Sequence, residues 1–201
     1  MTTDIAMVIA AYLLGSVASA IVVCRVFGAP DPRTVGSGNP GTTNVLRVAG
    51  KLAALLTLLG DAAKGVLPVL SAHTLGMTPL LAALCGLAAF LGHLYPVFYR
   101  FQGGKGVATF IGVTLAFDWR LGVLFIVTWL TVALVTRFSS LAALVATACV
   151  PAVTWTLGYA TAISAVFVVF VGLIFWRHRQ NISNLLQGTE GRIGQSSSTP
   201  S

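Results

Sequence analysis

An all-α membrane protein with about seven transmembrane helices is the fold class this sequence predicts, and three observations predict it. Of its 201 residues, 56% are hydrophobic and 8% are charged, with a mean hydropathy of +0.90. A soluble domain carries about 25% charged residues, so this chain cannot coat itself for water. Apolar runs recur along the chain, around 5–24, 52–72, 79–99, 106–117, 121–136, 141–157 and 159–176. Nearly all the basic residues fall in every second gap between those runs, and so on one side of the membrane, which is the asymmetry that orients a membrane protein.

A spanning helix needs roughly 17–25 residues, and most of the runs meet that length when loosely bounded. The first, within MTTDIAMVIAAYLLGSVASAIVVC, has no basic segment before it and reads as a retained helix. The fourth is the exception. At about 1.5 Å per residue, Gly106–Phe117 covers only about 18 Å, so either the polar loop before it lies below the membrane surface or this helix does not span fully, and both options make the loop part of a recessed pocket. Irregular backbone at that depth is tolerated where it is buried in protein or lines a wet cavity. A tight turn is expected at Phe117–Arg120.

With the N-terminus outside, seven spans put Arg25, Arg33, Arg47, Lys51, Arg100, Lys105, Arg137, Arg177, Arg179 and Arg192 on the inner side. Arg120 is left outside, and Lys64 lies within a span. The positive-inside rule then places the C-terminus in the cytoplasm. Three polar stretches, 33–47, 100–106 and 177–192, share that face. Residues 1–193 read as a single integral-membrane domain and 194–201 as a disordered polar tail.

The net charge of +7 does not signal a nucleic-acid partner, because the charges sit in loops between apolar runs. It fits a membrane surface and phosphate-bearing substrates. Cys24, Cys85 and Cys149 lie in apolar runs at unrelated spacings, which suits packing rather than a metal site.

The stretch DPRTVGSGNPGTTNVLR contains GxGxxG as Gly36, Gly38 and Gly41. A dinucleotide fingerprint needs a strand before it and a helix after it. Here a membrane helix precedes it and Pro40 interrupts it. What remains is a loop rich in hydrogen-bonding groups: Ser37, Asn39, Thr42, Thr43, Asn44 and Arg47. The stretch FQGGKGVATF misses the nucleotide-binding P-loop, since Tyr99 stands at the first glycine position and Gly106 follows Lys105. Gly103, Gly104 and Gly106 still permit close backbone approach, and Lys105 supplies a point charge. Within the second run Asp61 and Lys64 are three apart on one helix face. Intramembrane charges are candidates for function, and mutual pairing is the alternative reading. His93 ends the third run. In RHRQNISNLLQGTE, His178, Asn181 and Glu190 add groups that charge bias alone does not explain.

In order and spacing, GSGNPGTTN, GDAAKG, GHLYPVFYRFQGGKGVAT and RHRQNISNLLQGTE resemble the bacterial acyl-phosphate:glycerol-3-phosphate acyltransferase family, over nearly the whole chain. The resemblance implies an inner-membrane enzyme whose site faces the cytoplasm. It would move a fatty acyl group from acyl phosphate to glycerol 3-phosphate, giving lysophosphatidic acid for phospholipid synthesis. It implies no metal or cofactor, and a soluble acyl-phosphate-forming enzyme as supplier. It also implies Ser37, Arg47, Lys105, His178 and Asn181 as catalytic residues. Gly38, Asn39, Gly41, Thr43, Asn44, Asp61, Lys64, His93, Gly103, Gly104, Gly106 and Glu190 are the expected substrate-binding set.

Acyl phosphate is already activated, so no covalent nucleophile is required. Proton removal and oxyanion stabilisation remain. A donor phosphate oxygen is the expected base, as the family's substrate-assisted mechanism implies, with His178 as the other candidate. The HxxxxD pattern of acyl-CoA enzymes is absent: Thr78, Phe98 and Ser183 stand five residues after His73, His93 and His178. The rival reading is an organic-phosphate transporter, which would predict two similar halves with polar groups near the midplane.

Overall fold

The computed structural model describes residues 1–194, and these form helices and turns without a strand. The tail expected over 194–201 falls, from residue 195 on, outside the described residues. Nine α-helices follow in order: α1 (Thr2–Gly15), α2 (Ser19–Val26), α3 (Thr42–Thr74), α4 (Pro79–Leu94), α5 (Val107–Phe117), α6 (Trp119–Thr136), α7 (Ser139–Thr156), α8 (Thr161–Arg177) and α9 (Arg179–Leu186). A single 3₁₀ turn, Val97–Tyr99, lies between α4 and α5.

Five stretches are long and apolar enough to cross a membrane: α1 with α2, α3, α4 with its following turn, α6, and α7. Helix α8 joins them as a sixth if taken with α9, from which it is bent by 60°. Helix α5 has only 11 residues and spans about 17 Å, against a hydrocarbon core of about 30 Å. Large apolar side chains point outward from these helices, among them Ile9, Leu59, Leu67, Leu134, Val135 and Val168. In water that surface would be a liability. Against lipid it is the natural exterior.

Lipid chains are as apolar as leucine, so helix association in a bilayer relies on close packing, which small residues at the contact permit. Two reciprocal glycine contacts supply it here. A Cβ added to Gly65 of α3 would lie 2.2 Å from Thr109 O of α5, and one added to Gly112 of α5 would lie 2.0 Å from Ala62 O of α3. Gly15 of α1 and Gly92 of α4 mirror this, against Ala89 O and Tyr12 O. The short helix α5 is thereby held tightly against α3. Behind it sits an aromatic core of Phe90, Phe110, Phe167 and Phe170, with ring centroids of 4.9 Å for Phe90–Phe170 and 5.1 Å for Phe110–Phe170.

Two interruptions position the polar groups. Gly50 takes φ 83 and kinks α3 just before Lys51. At the other end of the bundle the expected tight turn forms. Asp118 Oδ1 accepts from Arg120 N (2.9 Å), capping α6, and Asp118 Oδ2 accepts from Tyr159 Oη (2.9 Å).

Candidate active site

The loop between α2 and α3 is folded by one buried side chain. Asn44, in the first turn of α3, accepts from Ser37 N (2.9 Å) and donates to Pro32 O (2.8 Å) and Val35 O (3.0 Å). It satisfies three backbone groups that irregular structure would otherwise leave unpaired. Gly36 (φ 61) is required beside it, because a Cβ there would lie 2.2 Å from Asn44 Oδ1. Ser37 and Gly38 are consequently presented to the exterior.

The second loop, 101–106, rests on the end of α4. Gly103 is pressed so close that a Cβ would meet His93 O at 2.0 Å, and Gly106 (φ 83) starts α5 against the Phe90 ring. Gly104 N donates to His93 O (3.2 Å). On the opposite side, Arg177 donates from Nε to Gly104 O (3.1 Å) and from Nη2 to Gly103 O (2.6 Å). A cleft of about 320 Å³ opens between the two loops, lined by Arg33, Gly38, Pro40, Gln102, Gly103 and Arg177.

Lys105 begins a polar chain that crosses four elements. Its ammonium donates to Asn181 Oδ1 on α9. Asn181 Nδ2 donates to Glu190 Oε1 (2.7 Å), which also accepts from Ser140 Oγ on α7 (2.5 Å). Glu190 is brought there by the C-terminal segment. That segment docks on the α6–α7 turn through Ile193 N to Arg137 O (2.7 Å) and Arg137 Nη2 to Ile193 O (2.9 Å). Burial pushes the Lys105 ammonium below its ordinary range, Glu190 pulls it back, and Arg177 and Arg47 push it down again. An incoming phosphate would relieve that penalty, since an opposite charge favours the charged form.

His178 sits at the bend between α8 and α9, 3% exposed. Its Nδ1 lies 2.8 Å from Ile174 O. A carbonyl can only accept, so Nδ1 carries the hydrogen and Nε2 holds the lone pair. Burial, with Lys105 and Arg177 adding to it, pushes the imidazole down to about 4 despite the Ile174 hydrogen bond and Glu190. His178 is therefore neutral near pH 7.

Asp61, Lys64 and His93 form a second cluster beneath the glycine loop. Lys64 Nζ lies 2.7 Å from Asp61 Oδ1, donates to Val17 O (2.7 Å) and lies 3.1 Å from His93 Nδ1. All three residues are buried. Val17 stands at the break between α1 and α2, where a carbonyl is freed from the helix ladder, and Lys64 satisfies it. His93 turns Nε2 toward Gly104, where an added Cβ would lie 2.4 Å away.

Of the residues expected from sequence, Lys105, His178, Asn181 and Glu190 come together at one pole. Arg47 joins them, with Nη2 near Gly191 and its charge felt by Lys105. Ser37, Gly38, Asn39, Gly41 and Thr43 lie on or beside the α2–α3 loop at that pole. Asn44 folds the loop from within. Asp61, Lys64 and His93 lie below it, bonded to one another. Three contributors escaped the sequence reading: Ser140, Arg33 and Arg177. The two arginines looked like ordinary loop charges, and the serine had no motif around it.

A family model for glycerol-3-phosphate acyltransferase matches residues 5–188. The chain belongs to the glycerol-3-phosphate acyltransferase family. A relative of that name from Methylobacillus flagellatus is 57% identical over 194 residues, covering 94% of this chain and 97% of its own. One from Methylococcus capsulatus is 54% identical, covering 92% and 93%. Among solved structures, the chain is similar to PlsY (YgiH), described as an integral membrane glycerol 3-phosphate acyltransferase. The glycerol 3-phosphate form aligns with a TM-score of 0.90 at 40% identity, covering 96% of each chain. The lysophosphatidic acid form gives 0.88 at 38%. The chain is thus an integral, multi-pass membrane protein of an acyltransferase family, as its four motifs led us to expect.

Proposed function

We propose that this protein transfers a fatty acyl group from acyl phosphate to a hydroxyl of glycerol 3-phosphate, releasing inorganic phosphate and 1-acyl-glycerol 3-phosphate. The observation that carries this reading is the Lys105–Asn181–Glu190–Ser140 chain, set at one pole with Arg47 and a neutral His178. It is a cationic, hydrogen-bonding site recessed at the start of a helix too short to cross the bilayer alone. That suits two phosphate-bearing substrates, one with an acyl chain running between helices into lipid. Relatives solved with glycerol 3-phosphate and with lysophosphatidic acid support the acceptor and the product.

Lys105 and Arg47 bind the glycerol 3-phosphate phosphate, with Ser37, His178 and Asn181 as hydrogen-bonding neighbours. Gly103, Gly104 and Gly106 let the acyl-phosphate head approach the backbone. The acceptor hydroxyl attacks the acyl carbon, an oxygen of the donor phosphate takes its proton, and the acyl C–O bond breaks to release phosphate. The reaction needs no metal or cofactor. In the membrane the chain takes seven crossings, α5 being the short one, with the N-terminus outside. The site faces the cytoplasm of a bacterial inner membrane, where a soluble acyl-phosphate-forming enzyme supplies the donor.

The test is an assay of purified protein with palmitoyl phosphate and glycerol 3-phosphate, following phosphate and lysophosphatidic acid, beside tubes holding palmitoyl-CoA. Product from acyl phosphate alone supports the reading. Product from palmitoyl-CoA alone would overturn the donor, and no product from either, in folded protein, would overturn the reaction.

A further inference from the structure

We propose that Arg177 is a positioning residue for this reaction: it grips the glycine loop and sets the direction in which Lys105 is delivered. This rests on the acyltransferase reading above. The guanidinium is a planar fork of fixed N–H donors. Here Nε and Nη2 are spent on the carbonyls of two consecutive residues, Gly104 (3.1 Å) and Gly103 (2.6 Å). Glycine has no Cβ to restrict its backbone, so a Gly-Gly-Lys-Gly loop left to itself would sample many orientations.

Two carbonyls held on one rigid plane remove that freedom. Each peptide is planar and trans, so holding Gly103 O and Gly104 O on Arg177 turns the N–H groups of Gly104 and Lys105 the opposite way. Gly104 N–H then donates to His93 O (3.2 Å). The loop is gripped from α8 on one side and from α4 on the other, and Lys105 follows directly.

Arg177 is itself braced. Its Cζ lies 5.7 Å from the Tyr95 ring centroid, and Tyr95 O accepts from Tyr12 Oη on α1 (2.8 Å). It also immediately precedes His178, and Asn181, which receives the Lys105 ammonium, lies one turn further on. One short stretch thus holds both ends of the lysine residue: the backbone before it through Arg177, and the ammonium through Asn181.

The experiment is a double-mutant cycle on kcat/KM for glycerol 3-phosphate, with Arg177→Gln and Asn181→Ala alone and together, in monodisperse detergent-purified protein. Arg177→Gln is expected to lose about 10- to 100-fold, as small misplacements at a reacting centre do. Arg177→Lys, which keeps the positive charge but replaces the planar fork by a single ammonium, falls between it and the wild type. The double variant loses less than the product of the single losses, because both residues hold the same lysine. Multiplying losses, or an Arg177→Gln enzyme as active as the wild type, would overturn the inference while leaving the acyltransferase reading intact. A folded wild type inactive on glycerol 3-phosphate would overturn that reading instead, and the inference with it. If Arg177→Gln is not recovered folded, the same cycle is run with Arg177→Lys and judged by the same rule.

Discussion

Lys64 Nζ lies 3.1 Å from His93 Nδ1, and Asp61 Oδ1 lies 3.5 Å from the same ring nitrogen, so the imidazole shares one buried polar cluster with the ion pair. The same ammonium is held by Asp61 and Val17 O. A buried pair stripped of one partner is strongly destabilised, by about 3–5 kcal/mol. Lys64→Met is therefore expected to lower the melting temperature sharply in detergent, and Lys64→Met with Asp61→Leu to recover much of the loss. A single variant as stable as the wild type would show that the pair does not hold the fold.

Gly103 makes a second prediction. Its added Cβ would lie 2.0 Å from the backbone of His93, which cannot swing away. Gly103→Ala should displace the loop and reduce kcat at least about 10²-fold, the scale of a small displacement at a reacting centre. Gly172, where nothing lies within 4 Å of an added Cβ, is the control: Gly172→Ala should keep both activity and melting temperature.

Asn181 and Ser140 predict a graded series. Asn181→Ala leaves the Lys105 ammonium without its acceptor, and should reduce kcat/KM by about 10- to 100-fold, in line with about 1.5–3 kcal/mol for a hydrogen bond to a charged group. Ser140→Ala removes only the far end of the chain and should cost a few-fold at most. Equal losses in the two variants would contradict the order of the chain.

His178 gives the pH dependence. Its pKa is lowered to about 4 in the folded protein from an ordinary value near 6.5. Between those values the unfolded chain binds the extra proton, so stability is full above pH of about 6.5 and falls as pH drops toward about 4. Melting temperature should decline over that window in the wild type and less in His178→Gln. His178→Gln should also retain most of kcat if a donor phosphate oxygen is the base. A loss of several orders of magnitude in both His178→Gln and His178→Ala would make the imidazole the base.

What the sequence determined by itself was the class of the protein and the identity of its chemistry-bearing stretches. The hydropathy runs required membrane helices, and α5 is short because the glycine loop consumes its first turns. Family membership was legible because four motifs kept their order. The sequence left Asp61 and Lys64 open between pairing and substrate contact. It made Arg33 and Arg177 look like inner-face charges and said nothing of Ser140.

Tertiary structure decided those points, because each depends on a neighbour distant in sequence. Lys64 meets Val17 across 47 residues, Arg177 meets Gly103 across 74, and Glu190 meets Ser140 across 50. Local periodicity reports which face of a helix is apolar. It does not report which carbonyl of another helix will stand opposite a charge. That follows only once Gly65 and Gly112, and Gly15 and Gly92, have let their helices close to backbone contact.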